Sequence, residues 1–112
     1  MGESFSSSQI KDLYRFFNGR YFRGRLPDIP VVWCPDKKMP KAIATTWIEG
    51  EKPVRICMNY KYKDTKVIWY HYLLHEMVHV QQAKLPRDQA HGRKFQKRMK
   101  QLANAGAFNC TW

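Results

Sequence analysis

The chain is short of cysteine, of acidic residues and of long apolar runs, and each shortage excludes something. Its three cysteines, Cys34, Cys57 and Cys110, are odd in number, lie far apart and form no CxxC pair. Neither a disulfide framework nor a zinc ribbon is therefore indicated, and a reducing compartment fits best. No stretch approaches the roughly 18 apolar residues of a membrane span, and Met1-Gly2-Glu3-Ser4-Phe5 lacks the basic and apolar regions of a signal peptide. An unexported, intracellular protein with no membrane role is expected, in the nucleoid or in the nucleus and cytoplasm. Met1 to Ser6 fits the myristoylation pattern and Asn109-Cys110-Thr111 the N-glycosylation pattern, but both patterns are permissive enough to arise by chance. There is no internal repeat and no low-complexity segment.

Acidic residues number 9 against 20 Lys plus Arg, a net charge of +11 on 112 residues. That is more than solubility needs, and a polyanion is the natural partner, with nucleic acid the leading choice. Hydrophobic residues make up 44% of the chain and aromatics 14%, too apolar for disorder and about right for one compact core. A single, monomeric domain over residues 1–112 is expected, with its core at about residues 8–106.

Ser6 and Gln9 resemble a capping box, and Ile10, Leu13, Tyr14 and Phe17 follow at the spacing of one helical face, which predicts a helix from about Ser8 to Gly19. Val31-Val32-Trp33 reads as a strand after the Gly and Pro breakers of residues 21–30. Pro35 to Lys41 reads as a charged loop, then Ala42 to Ile48 and Pro53 to Met58 as an antiparallel hairpin. Asp64 or Thr65 can cap a long helix to about Lys84, with Val67, Ile68, Leu74 and Val78 among its apolar positions. A last helix from about Gly92 to Ala105 sets Phe95, Met99, Leu102 and Ala103 on one face, with Gly106 as its stop. This order predicts an α+β domain: a small antiparallel three-stranded sheet packed with an N-terminal helix, the long helix and a C-terminal helix.

All four histidines, His71, His75, His79 and His91, fall in one short window. His75-Glu76-Met77-Val78-His79 is an HExxH motif, and its spacing has a physical reason. Residues four apart stand one above the other on a helix, so two imidazoles can grip one Zn2+ while Glu76, about 100° round the helix, reaches a zinc-bound water as general base. A catalytic zinc site needs a third protein ligand. No Glu follows Glu76, and Gln82 stands where the metzincin pattern requires Gly. The candidates are then Asp88, His91 and Cys110, of which His91 is favoured on softness and geometry. His71 is read as supporting or surface histidine, because making it a ligand would cost Glu76 its expected geometry.

Leu73 to His79, followed by His91-Gly92-Arg93-Lys94-Phe95, resembles the SprT-like (Spartan-type) metalloprotease family. Phe17-Asn18, then Tyr21 to Pro27, resembles the entry to that domain, where a helix ends and the chain turns into the first strand before Trp33. The resemblance spans about Ile10 to Ala105 and implies a zincin-like core, with His75, His79 and His91 as zinc ligands and Glu76 as the catalytic residue. It also implies a zinc metalloendopeptidase acting on proteins bound or crosslinked to DNA, in DNA–protein crosslink repair. Two departures stand out: Ala90 precedes the third histidine in place of glycine, and the C-terminal zinc ribbon of many bacterial relatives has no counterpart. A DNA contact must then come from the core, with Arg93, Lys94, Lys97 and Arg98 on the last helix and Lys61 and Lys63 before the long helix as candidates. Trp47, Tyr60, Tyr62 and Trp69 could stack the unpaired bases of single-stranded DNA. The readings competing with this one are a zinc hydrolase on a protein or peptide unconnected with DNA, and a basic nucleic-acid-binding module with structural zinc.

Overall fold

Apolar side chains three and four apart give the first segment one buried face. In the computed structural model, which describes residues 7–85 and 89–108, helix α1 spans Ser7–Tyr21. Ile10, Tyr14 and Phe17 are fully buried along it. The expected capping Ser6 lies outside the described residues. Helix α1 ends in a tightly bonded turn. The Asn18 side chain donates to the Leu26 carbonyl at 3.1 Å and accepts from the Leu26 N–H at 3.0 Å, and the Tyr14 hydroxyl donates to the Pro27 carbonyl at 2.7 Å. Lys11 bonds the Ile29 carbonyl and pairs with Asp28 at 3.0 Å.

Three strands follow: β1 (Val31–Cys34), β2 (Ala44–Glu49) and β3 (Lys52–Asn59). The β2–β3 hairpin is antiparallel as expected, but β3 lies in the middle of the sheet and pairs with β1 in parallel, Val31 facing Ile56 and Cys34 facing Asn59. The sheet is therefore mixed, which corrects the all-antiparallel expectation. The cause is the loop after β1, which steps over the end of β3 to the far edge. Asn59, only 1% exposed, is the post it winds round: its Nδ2 donates to Asp36 Oδ1 at 2.8 Å, to the Ala42 carbonyl at 2.9 Å and to the Met39 carbonyl at 3.2 Å. These bonds satisfy a buried amide that would otherwise cost stability.

Helix α2 (Lys66–Gln81) packs across β2 and β3, α1 packs against β1, and α3 (Arg93–Asn104) packs against α2. The long helix stops short of Lys84. Thr65 stands at its N-cap without a side-chain capping bond, and Val67, one of its apolar positions, is 66% exposed. Apolar residues cover more than one face of α2: Trp69, Leu73, Leu74, Met77 and Val78 are all fully buried, as suits a helix between layers. Helix α3 is strongly two-sided, with Phe95 and Leu102 inside, Met99 half-buried and Ala103, contrary to expectation, exposed. Its end is a Schellman turn. Gly106 takes φ +82° and donates to the Ala103 carbonyl, while the Ala107 N–H reaches the Leu102 carbonyl.

Arg98, a candidate nucleic-acid contact, makes its bonds inside the protein. Its guanidinium bonds the Tyr21 carbonyl, donates to Gln81 Oε1 at 3.0 Å and lies 4.7 Å from the Phe22 ring centre. It joins α3 to α2 and to the end of α1, and burial lowers its pKa.

Candidate metal centre

The four-residue spacing on α2 brings His75 and His79 onto one face, and a turn returns the chain so that His91 meets them just before α3. Gly92 fits closely there, since a Cβ would lie 3.3 Å from the Gln89 carbonyl oxygen, a tight contact. The Nε2 atoms of His75, His79 and His91 form a triangle with sides of 3.2, 3.1 and 3.4 Å. Its sides cannot all be hydrogen bonds. Each Nε2 of a neutral ring carries either a proton or a lone pair, and around three members at least one pair must face like with like. A cation at the centre removes the conflict. Tetrahedral zinc at about 2.0–2.1 Å from each nitrogen would set them about 3.3–3.4 Å apart, close to the spacing found.

The environment keeps His75 and His79 in the ligating form. Burial first, and the neighbouring imidazoles second, push His75 and His79 down to about 4, so both are neutral at pH 7. Phe95, only 3% exposed, lies beneath all three, its ring centre 4.8 Å from those of His75 and His79 and 5.0 Å from that of His91. It stacks on His79 within 19°. His71 stays outside the triangle, over the Phe108 ring at 4.5 Å. The other two candidate ligands, Asp88 and Cys110, lie outside the described residues.

Glu76 is 5% exposed, and burial pushes its carboxyl up to about 7, against the opposing effect of the Thr46 hydroxyl that bonds Oε1 at 2.7 Å. Both residues line a groove of about 660 Å³ between β2 and α2, bordered by Lys41–Thr46 on one side and by Tyr72, His75, His79 and Gln82 on the other, with His91 at its edge. The groove therefore joins a potential metal corner, a buried carboxyl and an open strand edge.

The candidate cations fall on other parts of the surface. Arg93, Lys94 and Lys97 are exposed on α3 directly after His91, and Lys61 is exposed before α2. Lys63 is half-buried, pairs with Asp64 at 3.1 Å and sits 4.8 Å over the Tyr60 ring. Trp69 is fully buried and cannot stack a base, whereas Trp47 and Tyr60 are 50% and 46% exposed. Two residues acquire roles the sequence reading did not assign. Thr46 lies thirty positions from Glu76 with no local signal linking them. Phe95, read as ordinary core, had one available signal, its fixed place four residues after His91.

A family model for the SprT-like family matches residues 10–111. Comparisons with curated proteins and with solved structures give no match. The family match runs through every element that builds the histidine corner, from the buried face of α1 to the end of α3. On that basis the chain belongs to the SprT-like family, whose domains are of the zinc metallopeptidase type.

Proposed function

We propose that this chain is a zinc-dependent endopeptidase with a zincin-like core, acting on proteins held to DNA, and that Glu76 is its general base. One observation carries the reading: three imidazole Nε2 atoms 3.1–3.4 Å apart at the edge of a groove that also contains a buried glutamate. His75, His79 and His91 would hold the metal. When bound, zinc supplies Lewis acidity, lowering the pKa of a water towards neutrality and polarising a carbonyl. Glu76 accepts the proton on its carboxylate and returns it to the departing amine, so a glutamine there keeps the shape and loses the base.

The substrate would lie along β2. That strand is at the edge of the sheet, and the Asn59 N–H to Ile43 carbonyl bond fixes its parity. Residues 45 and 47 turn their backbone groups to β3, and Ala44 and Thr46 turn theirs to the open edge. An extended peptide can pair there as an added strand. The case for DNA rests on charge and placement. The +11 excess is carried in part by Arg93, Lys94 and Lys97, on the helix that starts directly after His91, and a polyanion bound there would bring an attached protein to the groove.

The test is cleavage of a DNA-binding protein by the zinc-loaded chain and by Glu76→Gln, each with and without single-stranded DNA. Cleavage by the wild type alone, and only with DNA, is expected. Equal cleavage without DNA would leave a zinc peptidase whose charge serves another end. Bound zinc without cleavage in either arm would favour a structural site.

A further inference from the structure

Thr46 belongs to both walls of the groove. Through its backbone it is part of the open edge of β2, and through its side chain it touches the carboxyl on α2. The hydroxyl donates to Glu76 Oε1 at 2.7 Å and also lies 3.2 Å from the carbonyl oxygen of Glu76. It has one proton and so serves one acceptor at a time. Of the two contacts the one to the carboxyl is the shorter, so the hydroxyl is given to Oε1. The bond thus ties the carboxyl on α2 to the edge strand β2.

We propose that Thr46 is a positioning residue which fixes Glu76 relative to the peptide-binding edge, so that one residue sets both where the substrate backbone pairs and where the base stands. The inference rests on the reading of Glu76 as general base. Reaction geometry is sensitive at this scale, since misplacement by about 1 Å can cost about a hundredfold in rate.

The experiment compares the zinc-loaded full chain with Thr46→Val, which keeps the branched shape and the strand preference, and with Thr46→Ser, which keeps the hydroxyl. Zinc content and circular dichroism establish that all three are folded and loaded. Thr46→Val is expected to lower kcat by roughly 10- to 100-fold with KM nearly unchanged, and Thr46→Ser to recover most of that loss. A Thr46→Val enzyme as fast as wild type, a loss confined to KM, or a serine variant as slow as the valine one would overturn the proposal. A second readout needs no peptidase activity: a slowly exchanging Thr46 hydroxyl proton in the NMR spectrum, with a cross-peak to the Glu76 side chain. If that proton is seen while the wild type cleaves nothing, the peptidase reading fails and the contact stands. If it is absent from an active enzyme, the positioning role fails.

Discussion

The turn after α1 and the histidine corner are held together in opposite ways. In the turn, every named polar group finds a partner within the chain: Asn18 brackets Leu26, Tyr14 reaches Pro27, and Lys11 meets Asp28 and Ile29. In the corner, three imidazoles face one another across 3.1–3.4 Å in a triangle whose sides cannot all be hydrogen bonds, packed on the Phe95 ring. The first region is complete as protein, whereas the second has the spacing of a site that could hold a cation. Stability and function are thus separated in space, and substitutions should separate them too.

The largest effect is expected at the corner. His79→Ala should weaken zinc binding steeply, read by titration, whereas Glu76→Gln should keep the wild-type affinity, because only the first removes a ligand. Phe95→Ala comes next and crosses the divide. Truncating a buried phenylalanine should cost about 3–5 kcal/mol in denaturant unfolding, and it should also weaken zinc binding, since the rings lose their common support. Asn18→Ala sharpens the contrast from the other side. Leaving the Leu26 amide and carbonyl without their partner should cost about 1–3 kcal/mol, with zinc affinity per folded molecule unchanged in a titration.

The smallest effect is in acid, on the metal-free chain. With His75 and His79 held near 4, the unfolded chain takes up their protons first, so stability falls as pH drops from about 6.5 to about 4. Glu76, raised to about 7, acts the other way: the folded chain takes its proton first, and stability rises as pH falls from about 7 to about 4.5. Two groups against one leave a net acid loss in melting temperature. Glu76→Gln removes the offset and should steepen that loss, and bound zinc should suppress the histidine share.

What could be read from the sequence was what depends on local spacing. The buried face of α1 follows from Ile10, Tyr14 and Phe17, and the His75–Glu76–His79 arrangement follows from the four-residue repeat of a helix. The exposure of Val67 was not legible because α2 lies between layers and buries most of its circumference, so periodicity weakly marks which apolar position faces out. The parallel pairing of β1 carries no local signal, because it depends on the loop wound round Asn59, more than twenty residues downstream of β1. Arg98 reads as an outer-face cation by its place on a two-sided helix. Yet its long side chain reaches Phe22 and Tyr21, residues far away in the sequence. Thr46 shows the same limit inside the site, since the contact that matters is made between two elements and not within one.

The most direct test of the central claim is X-ray absorption at the zinc edge of the loaded full chain and of His91→Ala. The account predicts nitrogen ligands at about 2.0–2.1 Å with imidazole scattering from three rings, and the loss of one ring in the variant. A sulfur ligand at about 2.3 Å, or the same spectrum from both proteins, would contradict it.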